Sequence, residues 1–410
     1  MDPKKNASTA LVVAKESRLP VPAEEKKESY WGRMAAHFTL AWRLMLAALL
    51  LFAVLFVLLF SRAFTYDSLF CFIRDLQAVS DFVPNDYATV TAPYEQGDHT
   101  AIAYRGGVAF VNSGGVEVYS PNGERLLNLS RKMKNPRAVA SRKYLLAYDN
   151  GGTSFSVTNS YTELFRGESE YPIYGATVSD SGHFALITAS GEALSQVLLY
   201  DNNFNLVQRF QRASATVGVD LSDNGKRIAL LGMSATDGTV RSVVNVYLLG
   251  ESEPEGSCVF ENEVPMAVSF IGNRHYTVFT ASALRCLDLD GEVRNTVALQ
   301  GATPVGFAAN EHGVLIALET DAINATHRIL ALDKKGNILY DGTYDRDVTA
   351  VEMGKKEIFL LSEGTVTRID TDDGASTSSE IETGATGMYR VDDGAVRVVY
   401  PAKAVYVAFS

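Results

Sequence analysis

The sequence contains little cysteine, tryptophan or histidine. Among 410 residues there are three cysteines, two tryptophans and six histidines. Three cysteines are too few for a disulfide framework, and whether Cys258 pairs with Cys286 stays open. No two histidines stand four residues apart, the spacing at which one helix face presents two metal ligands. We therefore expect no metal site, although residues 288–291 and 370–374 each carry part of a calcium-loop pattern.

Sequence signatures of catalysis and of cofactor binding are also missing. The chain has no Gly-x-Ser-x-Gly turn, no Gly-Lys-Ser/Thr phosphate loop and no Gly-x-Gly-x-x-Gly dinucleotide motif. These motifs place a nucleophile on a sharp turn or bring backbone amides to a phosphate, so their absence removes the usual sequence evidence for such sites. We expect no catalytic residues, no cofactor and no enzymatic activity.

Basic residues are scarce after the first part of the chain. The formal net charge is −11 and the pI is about 5.1, which argues against general nucleic-acid binding because that requires a basic surface. Residues 1–62 carry nine Lys/Arg and five Asp/Glu, whereas the remainder carries 28 and 43. A basic segment ahead of an acidic domain is typical of a membrane protein whose N-terminus lies in the cytoplasm.

One long apolar segment is present, from Leu44 to Ser61 between Arg43 and Arg62. As a helix it would span about 27 Å, enough for the hydrocarbon core of a bilayer. The segment is apolar all round and no small-residue cleavage site follows it, so we predict an uncleaved transmembrane helix over residues 44–62. Residues 1–43 are then predicted to be a disordered cytoplasmic tail. The chain beyond the helix is predicted to be extracytoplasmic.

Residues 63–85 are predicted to form a short juxtamembrane helix. Leu69, Phe72, Ile73 and Leu76 follow the i, i+3, i+4, i+7 pattern that is typical of an amphipathic helix. We interpret this helix as a stalk that packs on the underside of the next domain. The alternative is a helix that dimerises or lies on the membrane surface.

From residue 86 onward the sequence repeats a strand–turn–strand phrase, shown most plainly by GVDLSDNGKRIALL from Gly218. The second strands of the copies begin on average about 41 residues apart, a period typical of one four-stranded blade of a β-propeller. The first strong residues of these second strands are Val108, Tyr144, Phe184, Ile228, Tyr276, Val314, Ile358 and Val396.

The two ends of the repeat region predict how the ring closes. The last unit, from Met388, ends after its third strand, whereas residues 86–93 (DYATVTAP) form a spare strand ahead of the first complete unit. An unpaired strand would leave an exposed sheet edge in the ring. We therefore predict an all-β propeller over residues 86–410 with eight four-stranded blades, one of them shared by both ends of the domain. Seven blades is the alternative, should two weak units merge.

Two further phrases carry a family resemblance, FTYDSLFCFIRDLQ from Phe64 and AVASRKYLLAYDNGGTSFSV from Ala138. Together with the apolar segment they make residues 44–410 resemble a family of single-pass propeller proteins of clostridial-type Gram-positive bacteria, grouped as a domain of unknown function. The resemblance implies a membrane-anchored propeller. Because the family has no assigned activity, the resemblance assigns no functional residues.

The predicted propeller also favours one class of function. Its repeats contain no tryptophan, so the Trp docking motifs of quinone-dependent propellers are absent. Rigid blades hold variable loops on one face, which suits binding. We predict a cell-membrane protein whose propeller is a non-catalytic binding or scaffold module for a protein or cell-envelope partner. The alternatives are a signalling receptor that reports through the cytoplasmic tail and a cell-wall hydrolase whose carboxylates come from several blades.

Overall fold

The computed structural model describes residues 30–59, 89–91, 99–401 and 403–409. The chain divides into two compact units, Met1–Ser68 and Leu69–Ser410. The first unit contains helix α1, Tyr30–Leu59. Among the described residues, no helix combines the length and the hydropathy that a membrane crossing requires.

Helix α1 begins earlier than the predicted boundary at residue 43. Residues 30–43 are helical rather than part of a disordered tail, because the run from Met34 to Trp42 has no proline and is rich in Ala, Leu and Met, which favour helix. The predicted stalk helix over residues 63–85 lies outside the described residues, as do residues 1–29.

The second unit consists of eight antiparallel sheets of four strands each. Seven of the sheets are built from four consecutive strands, so that blade 1 holds β2 to β5, blade 2 holds β6 to β9, and the series continues to blade 7 with β26 to β29. In chain order the strands are β1 (Val90–Thr91), β2 (His99–Tyr104), β3 (Gly107–Asn112), β4 (Gly115–Tyr119), β5 (Arg125–Ser130), β6 (Pro136–Ala140), β7 (Leu145–Asp149), β8 (Ser154–Thr158), β9 (Glu163–Glu168), β10 (Ile173–Val178), β11 (Phe184–Thr188), β12 (Ser195–Tyr200), β13 (Leu206–Arg212), β14 (Ala215–Leu221), β15 (Arg227–Thr236), β16 (Thr239–Leu248), β17 (Gly256–Glu261), β18 (Pro265–Ile271), β19 (His275–Thr280), β20 (Ala283–Asp288), β21 (Val293–Ala298), β22 (Thr303–Asn310), β23 (Gly313–Asp321), β24 (Thr326–Asp333), β25 (Ile338–Tyr344), β26 (Ala350–Met353), β27 (Glu357–Ser362), β28 (Thr365–Asp370), β29 (Ser376–Glu380), β30 (Gly387–Asp392), β31 (Ala395–Val399) and β32 (Lys403–Ala408).

Blade 8 confirms the predicted closure of the ring. Its strand order is β1-β32-β31-β30, so the first strand of the domain is the outermost strand of the last blade. Val90 lies opposite Ala404 and Thr91 lies opposite Lys403 in antiparallel register. The propeller therefore has eight blades rather than seven, and both ends of the domain contribute to one sheet.

Burial within each blade follows the position of the strand in the sheet. The second and third strands are almost fully buried, as in β7 and β12, whereas the outer strands β21 and β29 are largely exposed. This distribution follows from the sequence, since apolar residues fill the second strand of each repeat and polar residues alternate in the fourth. Each blade thus has one inner strand, two buried middle strands and a more polar outer strand.

The hydrophobic core is divided into clusters between neighbouring blades. One cluster joins blade 1 to blade 8, with Val108 and Phe110 from β3 packed with Tyr389 and Val399. Each blade is thus held on both faces by apolar contacts, and the first blade is held to the last in the same way as any other pair. Packing of this kind makes the ring rigid.

Both described cysteines are free. Cys258 is half-buried on the outer strand β17, and Cys286 is buried on β20 in the next blade. Burial raises the pKa of the Cys286 thiol to about 12, so this thiol is protonated and unreactive at neutral pH. Cys71 lies outside the described residues.

Candidate functional site at one mouth of the central channel

A cavity of about 670 Å³ opens at one mouth of the central channel. It lies where the inner strands turn into the second strands. Its lining residues come from the turns after several inner strands and from the ends of seven of them: β2, β6, β10, β14, β18, β22 and β30. The charged residues of the lining are Arg105, Arg142, Asp180, Asp220, Asp223, Glu311 and Arg390. Residues from seven blades therefore meet in one concave, charged surface.

Arg142 is held in place by a carboxylate of the next blade. Asp180 accepts hydrogen bonds from the backbone N–H of Arg142, at 2.7 Å, and from its Nε, at 2.5 Å. The hydrogen bond and the charge of Asp180 raise the pKa of Arg142. The pKa of Asp223 is also raised, first by burial and then by repulsion from Asp180 and Glu311. Three carboxylates from blades 3, 4 and 6 thus surround one guanidinium.

Asp220 connects three neighbouring blades beneath this mouth. It lies on β14 and accepts hydrogen bonds from Thr177 Oγ1 of blade 3, at 2.9 Å, and from the backbone N–H of Phe270 of blade 5, at 2.8 Å. The backbone N–H of Leu221 is a third donor. Burial raises the pKa of Asp220 to about 6, although these hydrogen bonds favour the charged form. Its three donors assign Asp220 a structural role in the channel wall.

Glu352 is a third carboxyl group with a raised pKa near the channel. It lies on β26, the inner strand of blade 7, and burial raises its pKa to about 7 while Arg390 of blade 8 acts in the opposite direction. Nothing in the repeat pattern of the sequence indicated that Glu352 would have a raised pKa. A carboxyl group that titrates near neutral pH makes the electrostatic field of the channel dependent on pH.

Glu352 should make the stability of the ring fall as the pH rises. Its folded pKa lies above the ordinary glutamate value of 4.5, so the folded state holds this proton up to a higher pH than the unfolded chain. This stabilisation is complete below pH 4.5 and is lost as the pH rises through about 7. Between these values the free energy of unfolding falls by about 1 kcal/mol per pH unit. We expect urea unfolding between pH 5 and about 8 to show that wild type loses stability relative to Glu352→Gln.

The matched control for that experiment is Glu363→Gln, which removes an exposed carboxylate in the β27–β28 turn. Its unfolding free energy should run parallel to that of wild type across the pH range. Parallel curves for wild type and Glu352→Gln would contradict the raised pKa of Glu352.

A serine–histidine pair lies in the β10–β11 turn next to the cavity. Ser181 Oγ lies 2.8 Å from His183 Nδ1 and 2.8 Å from Ser179 Oγ. Gly225 of blade 4 covers the pair so closely that a Cβ atom there would lie 1.9 Å from Ser181 Oγ. Burial lowers the pKa of His183. A substrate has no room at Ser181, so the pair acts as a contact between blades 3 and 4.

Gly225→Ala should therefore destabilise the propeller strongly. The new methyl group would collide with Ser181 and His183, and the residue has φ of +63°, which L-residues adopt at a cost. We expect thermal and urea unfolding to show a loss of roughly 2–4 kcal/mol. Gly238→Ala is the control, because Gly238 has φ of +79° but no atom within 4 Å of the new methyl group, and it should cost about 1 kcal/mol. Equal losses in the two variants would contradict the close contact.

Two histidines stand at equivalent places in their repeats, His183 just before β11 and His275 at the start of β19. The structure shows both of them half-buried. His275 Nδ1 is 2.9 Å from Asp288 Oδ1, and Asp288 also accepts hydrogen bonds from Arg294. Each imidazole packs against a neighbouring blade or strand, a contact that a single repeat does not reveal.

The two carboxylates of the first partial calcium-loop pattern, Asp288 and Asp290, come together with Glu292 at the β20–β21 turn. Asp288, Asp290 and Glu292 each place one oxygen within 4.8 Å of the others. Asp288 is already engaged by Arg294, which also lies 3.2 Å from Glu292. Arg294, on the next strand β21, thus engages two of the three carboxylates. An exposed acidic cluster of this kind supplies no evidence for a metal by itself.

With the fold and the channel mouth described, the chain can be compared with known proteins. The sequence model of the Family of unknown function (DUF5711) matches residues 85–405. The chain belongs to this family. The matched residues coincide with the propeller, so the DUF5711 region is the ring of blades. No curated protein matches the chain.

Solved structures with the same fold are distant in sequence. The chain is similar to BamB from Moraxella catarrhalis, with 12% identity, 78% of this chain and 97% of that chain covered, and a TM-score of 0.49. It is also similar to Chaetomium thermophilum Sqt1 bound to the N-terminus of the ribosomal protein L10, with 12% identity, coverages of 79% and 96%, and a TM-score of 0.54. The likeness to Sqt1 shows the propeller fold alone.

Proposed function

We propose that this chain is a membrane-anchored, non-catalytic binding module whose propeller holds a protein or cell-envelope partner outside the cytoplasm. The observation that carries the proposal is the concave, charged channel mouth, to which seven blades contribute residues. A rigid ring that gathers side chains from many blades presents them in a fixed geometry, which lowers the entropy lost on binding.

Support for the membrane anchor comes from the first part of the chain. Residues 44–61 are uncharged and apolar, and helix α1 leaves apolar side chains exposed, such as Leu44, Leu49 and Phe52, each more than 60% exposed. Side chains of this kind are stable in lipid but unfavourable in water. The excess of Lys and Arg before residue 62 favours a cytoplasmic N-terminus, and the resemblance to proteins of clostridial-type Gram-positive bacteria agrees with a single-pass anchor.

Support for a protein partner comes from the rigidity of the ring and from its charge. The residues after 62 carry a strong acidic excess, which disfavours anionic polymers and favours proteins or cationic groups. Sqt1, a propeller of the same fold, is described as bound to the N-terminus of a ribosomal protein. We extend that mode, a peptide held on a propeller, to this chain as part of the proposal.

One observation favours a second candidate, a hydrolase acting on cell-wall polymers. Asp180, Asp223 and Glu311 come from three different blades and meet at the channel mouth, as a pair of acid and base carboxylates would in a glycosidase. Asp180 is bonded to Arg142, which leaves Asp223 and Glu311 as the pair to test.

The two candidates are separated by one set of experiments on the full-length protein in detergent. We expect no turnover of wall glycans or wall peptides, together with a discrete crosslinked partner when the protein is crosslinked in cells. Turnover that is lost in both Asp223→Asn and Glu311→Gln, but kept in the exposed control Asp372→Asn, would overturn the binding module in favour of the hydrolase.

A further inference from the structure

The opposite end of the inner strands carries the same irregularity in four consecutive blades. In blades 3, 4, 5 and 6 the first strand contains one more residue than its partner, a β-bulge. The pairing of the first strand is regular in blades 1, 2 and 7, and in blade 8 the shift lies at the other end of the strand. The extra residues are Tyr174, Val217, Met266 and Val305.

A bulge turns a side chain away from the regular pleat and is often found beside functional surfaces. Here every extra residue is apolar, and three of them are exposed: Tyr174 by 59%, Val217 by 39% and Met266 by 46%. Single exposed apolar side chains are normal on a protein surface, whereas a group of them marks an interaction site.

The turns at this end of the same blades add further exposed apolar side chains. Leu194 in the β11–β12 turn is 70% exposed, Val264 in the connection to β18 is 48% exposed, and Ile323 at the β23–β24 turn is 94% exposed. We call these three, together with the exposed bulge residues, the apolar crescent. Its members are Tyr174, Leu194, Val217, Val264, Met266 and Ile323.

Hydrogen bonds between blades fix the crescent in place. Ser195, next to Leu194, bonds through Oγ to the carbonyl of Ser214, at 2.9 Å, and to Thr216 Oγ1, at 2.8 Å. Ser242 Oγ donates to the carbonyl of Glu263, the residue before Val264, at 2.5 Å. The exposed side chains thus sit on a surface that is already ordered before a partner arrives, which favours binding.

The connecting segments around the crescent carry charge of one sign. From the β9–β10 connection to the β23–β24 turn, the segments at this end contain Glu170, Glu192, Asp237 and Glu263 but no Lys, Arg or His. The β25–β26 connection that follows contains Arg346 between Asp345 and Asp347. Glu263 is bonded to Arg285 of β20, and Glu170 lies 3.8 Å from Arg209. In the part of the chain that the structure describes, Glu192 and Asp237 form no ion pair. The same face changes sign between blades 1 and 2, where Arg131, Lys132 and Lys134 lie together.

We infer that the apolar crescent is the docking surface for a basic, amphipathic segment of a partner protein. The apolar side chains of that segment would cover the crescent, and its Lys or Arg side chains would meet the acidic segments around it. An anionic membrane surface would be repelled by the same acids. A second copy of this chain would bring a like-charged crescent against its own. The inference rests on the proposed function and goes beyond it. It adds a second binding surface, at the end of the inner strands opposite the charged channel mouth, and the chemistry of the segment that this surface would hold.

The test uses the full-length protein in detergent as bait for a random-peptide phage library. We expect the selected peptides to combine large apolar residues with a net charge of about +2 or more. Their affinity should fall about tenfold or more for Leu194→Ser/Met266→Ser and for Glu192→Lys/Asp237→Lys. Binding should also weaken as salt is raised from about 50 to about 500 mM.

Two control variants match these changes. Val207→Ser/Ile338→Ser removes apolar side chains of the outer strands that are 54% and 57% exposed, and Lys132→Glu changes a charge between blades 1 and 2. Both should bind the selected peptides as wild type does. Far-ultraviolet circular dichroism and the thermal transition of each variant check that loss of binding is not loss of folding.

Three outcomes would overturn the inference. In the first, the selected peptides are acidic or uncharged. In the second, the crescent variants bind the peptides with unchanged affinity. In the third, the crescent variants lose self-association, or binding to phosphatidylglycerol vesicles, rather than peptide binding. The proposed function would survive each of these if a crosslinked protein partner is still found in cells. Conversely, wall-polymer turnover that depends on Asp223 and Glu311 would remove the proposed function without any peptide measurement.

Discussion

Deleting residues 86–93 from the full-length protein is expected to lower the free energy of unfolding by several kcal/mol and to promote aggregation. This deletion removes β1, whose two residues pair with Ala404 and Lys403 at the outer edge of blade 8. Val90 is 1% exposed and packs with Val108 and Phe110 of blade 1. Burial of one such side chain is worth ~1.5–3 kcal/mol, and the lost backbone hydrogen bonds add about 1 kcal/mol each.

Aggregation is expected because β32 would become an unprotected sheet edge. Light scattering and the thermal transition would report both effects. The point variant Val90→Asp should reproduce most of the loss, because it places a charge among apolar side chains, whereas Thr91→Ser at the exposed neighbouring position should change little. A deletion variant with an unchanged thermal transition would mean that β1 is not needed to close the ring.

Arg397→Ala is expected to destabilise the ring by about 3–5 kcal/mol. Arg397 lies on β31 and is fully buried. Its Nη2 donates a hydrogen bond of 3.0 Å to the carbonyl of Pro121, in the β4–β5 turn of blade 1. The bond joins the last blade to the first, 276 residues away in sequence. Truncation would leave a cavity and a carbonyl without this donor.

Urea unfolding measures the loss, and two further variants test its cause. Arg397→Lys keeps the charge but not the planar fork, so it should lie between wild type and Arg397→Ala. Arg125→Ala removes an arginine of β5 whose side chain is 51% exposed and lies 4.0 Å from Glu117, and it should cost well under about 1 kcal/mol. Equal stability of wild type and Arg397→Ala would contradict the role of this contact in closure.

The architecture of the ring was accessible from the sequence because each blade repeats the same local pattern. Of the eight residues predicted to begin the second strands, seven lie inside a second strand, and Tyr144 precedes β7 by one residue. Closure was predictable for a similar reason, since a unit lacking its outer strand and a spare strand at the other end complete each other. Both inferences needed only short-range periodicity and the rule that sheet edges are paired.

The functional surfaces were not accessible in this way, since they depend on contacts between repeats. Asp220 gains its role from Thr177 and Phe270 in the two adjacent blades, and Arg397 gains its role from blade 1. The raised pKa of Glu352 depends on burial in the ring. The bulges correspond to a weak pattern in the sequence, an apolar residue directly before the glycine of the repeat, as at Tyr174 and Val217. This pattern can be interpreted only once the strand pairing is known.

The claim of an anchored propeller outside the cytoplasm is tested most directly by thiol labelling of intact cells with a membrane-impermeant maleimide. Cysteine replaces Asn203, exposed in the β12–β13 turn, or Ser8 near the N-terminus, in a Cys71→Ser parent. The parent itself should label slowly, because burial raises the pKa of Cys258 and Cys286. We predict that Asn203→Cys is labelled in intact cells and that Ser8→Cys is labelled only after lysis. Labelling of Ser8→Cys with protection of Asn203→Cys in intact cells would contradict an external propeller.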